Sequence, residues 1–180
     1  MRFSLAALLT GFMILTPVIG AHADDGVVRE VKLGILHHDA DGMWSGFRRE
    51  GGVDANVEVV LNPSFDIFAG TIRPAVGVSV NSQGDTSKAY VDARLEWEFE
   101  SNLFLAIGIG GAVHTGNLKL ESNDRKALGS RVLLHFPLEF GYRIDAHHGV
   151  SVFFDHVSNA WLADPNEGMD TIGIRWGYKF

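Results

Sequence analysis

The chain ends in Thr171-Ile172-Gly173-Ile174-Arg175-Trp176-Gly177-Tyr178-Lys179-Phe180, where large apolar side chains alternate with polar or small ones. Every even position is apolar, and every odd position is polar, charged or glycine. Successive side chains of a β-strand point to opposite faces, whereas a helix repeats every 3.6 residues. The segment therefore predicts a strand with one apolar and one polar face.

The same period of two recurs upstream and predicts eight strands in total. We place them at residues 29–38, 55–62, 70–81, 87–99, 102–114, 128–144, 149–159 and 170–180. The connections after the second, fourth and sixth strands are short, whereas those at 39–54, 115–127 and 160–169 are long and polar. Short turns at one end and longer loops at the other are typical of an up-and-down barrel that spans a membrane.

The composition of the two faces indicates which one meets lipid. The polar rows carry charged residues among many glycines, namely Arg94, Glu96, Glu98, Arg131, Glu139, Arg143 and Arg175. Eight strands enclose an interior just wide enough for side chains, where paired charges and small residues fit. The alternative is a soluble lipocalin-like barrel with the faces reversed. Because Phe180 ends the chain on the apolar row, as in bacterial outer-membrane proteins, we predict an all-β, eight-stranded antiparallel up-and-down transmembrane β-barrel.

The N-terminus predicts export. Arg2 precedes an apolar run from Leu5 to Ile19, and Ala21-His22-Ala23 has the small-x-small pattern of a signal peptidase site. The run is too short for a transmembrane helix. We therefore expect a signal peptide at 1–23, one barrel domain at 24–180, and a location in the bacterial outer membrane. Loss of Arg2 from the 15 basic residues leaves 14 against 22 acidic ones, which argues against a nucleic-acid partner.

Three polar residues interrupt the apolar face at one rim of the predicted barrel. His156 and Ser158 continue the row of Val150, Val152 and Phe154, and Asp170 starts the apolar row of the last strand. Hydroxyl, imidazole and carboxylate are the groups of a serine-hydrolase triad. If the N-terminus is periplasmic, this rim lies in the outer leaflet. The alternative is a merely polar rim without chemistry.

The segment His156-Val157-Ser158-Asn159, followed by Pro165-Asn166-Glu167-Gly168-Met169-Asp170, resembles the active-site signature of the PagL-type lipid A 3-O-deacylases. The resemblance implies an outer-membrane esterase with Ser158 as nucleophile, His156 as general base and Asp170 as the acid. Its substrate would be the lipid A of lipopolysaccharide. The family carries glutamate at the acidic position, whereas Asp170 is one methylene shorter. Glu167, the nearest glutamate in the sequence, is therefore the alternative acid.

Acyl transfer also needs donors for the developing oxyanion, and Asn159 and Asn166 are the candidates. We expect no metal and no cofactor, because the adjacent pairs His37-His38 and His147-His148 point to opposite faces or lie in turns. Four basic loop residues are candidate contacts for lipid A phosphates: Arg48, Arg49, Arg125 and Lys126. We expect Asp155 to face inward and to pair with Arg143 or Arg175.

Two other functions remain open at this point. A non-enzymatic structural or adhesion barrel would bind partners through loops 39–54 and 115–127, and an esterase could act on another membrane lipid. The sequence does not show which acyl chain is cut, whether the barrel forms a homodimer, or whether its activity is latent in the native membrane.

Overall fold

The computed structural model describes residues 26–46 and 48–180. The predicted signal peptide, residues 1–23, lies outside these ranges. Within them the chain forms nine strands: β1 (Val28–His37), β2 (Val53–Leu61), β3 (Phe65–Ile67), β4 (Gly70–Asn81), β5 (Lys88–Glu98), β6 (Leu103–His114), β7 (Val132–Arg143), β8 (His148–Ser158) and β9 (Met169–Lys179). No helix among the described residues is long and apolar enough to cross a membrane.

The eight long strands close into a barrel. Each pairs antiparallel with its neighbour in sequence, β2 pairs directly with β4, and β1 pairs with both β2 and β9. Closure gives every long strand two partners, which leaves no open sheet edge. The predicted eight-stranded antiparallel barrel is confirmed.

The third strand is a local addition at the short-turn end of the barrel. β3 pairs only with the first residues of β4, as Phe65–Ile67 against Gly70–Ile72. Phe68 and Ala69 make the turn between them with φ of 51° and 58°, which is the conformation of a tight two-residue hairpin. The sequence predicts only a short turn here. The sequence pattern also predicts that the sixth strand begins at residue 128, whereas β7 begins at Val132.

The faces of the barrel follow the predicted alternation. Apolar side chains point outward along the long strands, and Ile174 on β9 and Val152 on β8 are 67% and 52% exposed. Side chains of opposite parity, such as Arg175 on β9, are buried in the interior. This arrangement suits a barrel surrounded by hydrocarbon rather than by water.

Much of the interior is filled by paired charges, beside an apolar cluster formed by Tyr90, Ala112, Leu128, Leu133, Val157 and Met169. Glu139 Oε2 lies 2.7 Å from Arg94 Nη2 and 2.9 Å from Lys32 Nζ, and Glu58 Oε1 lies 2.5 Å from Arg175 Nη2. The guanidinium groups of Arg94 and Arg175 lie 5.5 and 4.1 Å from the ring centroid of Phe153, an apolar residue among these charges. The carboxylates and cations neutralise one another where water is scarce.

The predicted partners of Asp155 are wrong, although the residue does face inward. Asp155 Oδ1 accepts a hydrogen bond from Thr171 at 2.7 Å and pairs with Lys88. Arg143 lies near the other end of β7, opposite Gly149, where it pairs with Glu30 at 2.7 Å. The two residues are therefore separated along the barrel axis.

We expect Arg175→Met to destabilise the barrel by about 3–5 kcal/mol, because it leaves Glu58 as a buried carboxylate without its closest cation. Equilibrium unfolding of the purified protein in lipid vesicles measures this change. Arg49→Met is the matched control, since Arg49 forms an exposed ion pair with Asp41, and we expect a change of about 1 kcal/mol or less. Equal effects of the two substitutions would contradict this account of the interior.

Candidate active site

The rim that carries the candidate site is formed by four connections at one end of the barrel. They are loop 1 (residues 38–52), loop 2 (82–87), loop 3 (115–131) and loop 4 (159–168), named here from the strand bounds. β8 brings His156 and Ser158 to this rim, and β9 starts with Met169 and Asp170. The register of the two strands places His156 directly opposite Asp170.

The imidazole of His156 is held by its neighbours. Its Nδ1 lies 2.6 Å from Asp170 Oδ1, in position to donate a hydrogen bond. The other carboxylate oxygen of Asp170 accepts the backbone N–H groups of Trp44 and Ser45 at 2.6 and 2.5 Å. Both His156 and Asp170 are buried beneath loop 1. With Nδ1 committed to the acid, Nε2 is the nitrogen left to act as a base.

Ser158 lies beside this pair. It follows His156 by two residues on the same outward-facing row, and both side chains line a cavity of about 380 Å³ with Trp44, Phe136, Trp161 and Asn166. Among the described residues no hydrogen bond joins the Ser158 hydroxyl to His156. A triad would need a hydrogen bond from the Ser158 hydroxyl to Nε2, and such contacts often tighten only with bound substrate.

Gly168 allows loop 4 to pass close to the imidazole. Its φ is +64°, and a Cβ at this position would lie 3.0 Å from His156 Cε1. An L-residue would be strained in this conformation and would also crowd the candidate base. Gly168 belongs to the segment that resembles the family signature, but the sequence alone indicates no role for it.

The two candidate oxyanion donors, Asn159 and Asn166, differ in which of their hydrogen-bonding groups already have partners. The backbone N–H of Asn159 donates to Asn166 Oδ1 at 2.9 Å, and its side-chain amide donates to the carbonyls of Leu128 and Pro165 at 2.9 and 2.8 Å. Asn159 therefore holds loop 4 against loop 3. Asn166 lines the cavity and accepts with its oxygen, so its Nδ2 is the stronger candidate for an oxyanion donor.

Glu167, the alternative acid, is engaged elsewhere. One carboxylate oxygen pairs with Arg48 of loop 1, and the other accepts the backbone N–H of Ala127 at 2.8 Å. These contacts tie loop 4 to loops 1 and 3. The geometry favours Asp170 as the partner of His156.

The basic loop residues are also paired. Lys126 is buried and donates to the carbonyl of Gly46 at 2.8 Å, so it is not accessible to a lipid phosphate. Arg125 pairs with Asp85, and Arg49 lies 3.1 Å from Asp41. Any phosphate contact would have to compete with these carboxylates.

A second histidine anchors loop 1. His38 Nδ1 lies 2.8 Å from Asp54 Oδ1, and its Nε2 lies 3.1 Å from Glu50 Oε2. Burial lowers the pKa of His38, but hydrogen bonds to the carboxylates of Asp54 and Glu50 raise it to about 9. Glu50 also accepts the backbone N–H groups of Thr86 and Lys126, at 2.9 and 3.0 Å. The charged imidazole thus helps to fasten loop 1 to loops 2 and 3.

This anchor predicts that loop 1 loosens in alkaline solution. The folded-state pKa of His38 lies above the ordinary value of 6.5, so its stabilisation is complete below about pH 6.5 and is lost as the pH rises through about 9. Proteolytic cleavage within loop 1 should therefore accelerate above pH 9 in the wild type. In the control His38→Asn, cleavage should be fast at every pH. An unchanged pH dependence in that variant would contradict the assignment.

The chain is similar in sequence to one protein family and in fold to several solved structures. A family model described as lipid A 3-O-deacylase (PagL) matches residues 36–179, which include the whole candidate site. The crystal structure of the outer membrane enzyme PagL has a TM-score of 0.64 and 18% identity, covering 84% of this chain and 99% of that one. Neisserial surface protein A has a TM-score of 0.53 and 9% identity, covering 84% and 96%. At these identities both structures show the barrel fold alone. No curated protein sequence matches the chain.

Proposed function

Because the chain belongs to the lipid A 3-O-deacylase (PagL) family, we propose that it hydrolyses the ester of the 3-position acyl chain of lipid A, with Ser158 as its nucleophile. The observation that carries the proposal is the 2.6 Å contact between His156 Nδ1 and Asp170 Oδ1, beside Ser158 on the lipid-facing row. Membership of the family supports the reaction, and the geometry supports these residues as the ones that carry it out.

The position of the site suits a membrane lipid as substrate. Val152 and Phe154 precede His156 on the outward row of β8, so an acyl chain can lie along that row while its ester reaches Ser158. The long loops belong at the outer leaflet of the outer membrane, where lipopolysaccharide is the lipid. Residues 1–23 would direct export and be removed after Ala23.

The reaction would proceed in two steps through an acyl-enzyme. Ser158 Oγ attacks the ester carbonyl while His156 Nε2 takes its proton, and Asp170 stabilises the imidazolium that forms. Asn166 Nδ2 donates to the oxyanion of the tetrahedral intermediate. The intermediate then breaks its bond to the sugar oxygen, which leaves with the proton from His156.

Water completes the cycle. His156 Nε2 takes a proton from a water molecule as its oxygen attacks the acyl-serine, and the proton then returns to Ser158 as the fatty acid leaves. The scheme requires no metal ion or cofactor, because serine, histidine and aspartate supply nucleophile, base and acid.

Mass spectrometry of lipid A from cells that express the protein tests this function. We expect the wild type to remove one hydroxyacyl mass, with fragmentation locating the loss at the 3-position, and Ser158→Ala to leave lipid A intact. Unchanged lipid A in cells with correctly inserted wild-type barrel would contradict the proposal. Release of fatty acids from phospholipids instead would point to an esterase with another lipid substrate.

A further inference from the structure

Trp44 of loop 1 lies against the candidate base. The ring centroids of Trp44 and His156 are 4.4 Å apart, with 21° between the ring planes, so the two rings are stacked. The indole is nevertheless 66% exposed. Its ring also lies 6.0 Å from that of Phe136, in a tilted arrangement, so Trp44 is in contact with one aromatic ring as well as with the imidazole.

The backbone of the same residue reaches the candidate acid. The N–H groups of Trp44 and Ser45 both donate to Asp170 Oδ2, which leaves Oδ1 to His156. One dipeptide of loop 1 thus contacts two members of the proposed triad. This support matters for an aspartate, which is one methylene shorter than the glutamate of the family resemblance and needs to be held in place.

Loop 1 is itself fixed by side chains from the other connections. Lys126 of loop 3 donates to the carbonyl of Gly46, and Glu167 of loop 4 pairs with Arg48. Glu50 and His38 anchor the end of the loop that leads into β2. The position of Trp44 is therefore set by several contacts outside the triad.

We propose that Trp44 is a positioning residue whose indole face stabilises the imidazolium form of His156 during deacylation. The inference rests on the proposed function. A cation within about 6 Å of an indole centroid is attracted by the ring quadrupole, and tryptophan is the most effective of the aromatic side chains. In the proposed reaction His156 gains positive charge when it takes the serine or water proton. The attraction therefore acts on the transition state more than on bound substrate, and it should appear in kcat rather than in KM.

Steady-state kinetics of the purified barrel with lipid A in detergent micelles test the inference. We expect Trp44→Leu, which keeps an apolar cover but removes the ring face, to lower kcat about 10- to 30-fold with little change in KM. Trp44→Phe keeps a weaker ring face and should retain most of kcat. Trp176→Leu is the matched control, because Trp176 lies at the opposite rim near His148, and it should leave both constants unchanged.

Three kinetic results would overturn the inference. Equal losses of kcat in the Phe and Leu variants would show that the ring only shields the site, and a rise in KM alone would show that Trp44 binds substrate. Wild-type kcat in Trp44→Leu would contradict the proposal outright.

A spectroscopic measurement separates this inference from the proposed reaction. In the Ser158→Ala variant the proton between His156 Nδ1 and Asp170 should give a downfield NMR resonance that exchanges slowly with water. Adding Trp44→Leu should lower the pH at which this resonance moves to its imidazolium position, because the imidazolium loses the ring face that stabilises it. If Ser158→Ala still deacylates lipid A, the proposed nucleophile is wrong, while this resonance still tests the role of Trp44. A resonance unaffected by Trp44→Leu would overturn that role even if the reaction is as proposed.

Discussion

Replacement of Ser158 by alanine is expected to lower kcat for lipid A deacylation by about 10⁴- to 10⁶-fold. In the proposed reaction Ser158 Oγ is the atom that forms the acyl-enzyme. The cavity beside it contains His156 as the candidate base and no second hydroxyl among its described lining residues. Without Ser158 only the oxyanion donors and the binding of substrate remain to accelerate hydrolysis. Initial rates with purified barrel and lipid A in micelles give the ratio.

Ser151→Ala is the matched control for this substitution. Ser151 lies on the same strand, but its hydroxyl points into the interior and donates to Glu139 at 2.6 Å. We expect this variant to fold and to keep its kcat. Substantial activity in Ser158→Ala, or an equal loss in Ser151→Ala, would mean that Ser158 is not the nucleophile.

The second large effect is expected from Asp170→Asn, which should lower kcat about 10⁴-fold. The carboxylate of Asp170 accepts three hydrogen bonds, from His156 on one oxygen and from Trp44 and Ser45 on the other. An asparagine has one acceptor oxygen and one donor nitrogen, so either the imidazole or loop 1 must face a donor instead of an acceptor. The imidazole then loses the tautomer in which Nε2 is a base.

Glu167→Gln distinguishes the two acids in the same assay. Its carboxylate holds Arg48 and the N–H of Ala127, so its replacement should loosen loop 4 and reduce kcat far less than Asp170→Asn. If Glu167→Gln were the more damaging of the two, Glu167 would be the acid and the assignment of Asp170 would be wrong.

The barrel is predictable from the sequence because its signal is local. Ile172, Ile174 and Trp176 alternate with Gly173 and Arg175, and a period of two forces such a segment to present an apolar and a polar face wherever it lies. The polar rows carry charges of both signs among many glycines, which predicts that these rows face the barrel interior. The structure places those charges in pairs inside the barrel. The hairpin at β3 was missed because its three residues are too few to show a period.

The candidate site is partly predictable for the same reason. His156 and Ser158 are two residues apart on one strand, and Asp170 begins the next strand, so parity alone brings them to one face. Trp44 was missed because it reaches the site across more than a hundred residues of chain, and nothing in loop 1 has a repeating pattern. The partners of Asp155 depend on strand stagger around the barrel, which alternation within single strands does not encode.

Covalent labelling tests most directly whether Ser158 is the nucleophile of this barrel. The folded, wild-type protein would be treated with a long-chain alkyl fluorophosphonate, and the adduct located by peptide mass spectrometry while deacylation is followed in parallel. The account predicts one adduct per barrel, on Ser158, that grows in proportion to the loss of activity and is absent in His156→Ala. Full activity with Ser158 modified, or complete inactivation with the adduct on another residue, would contradict it.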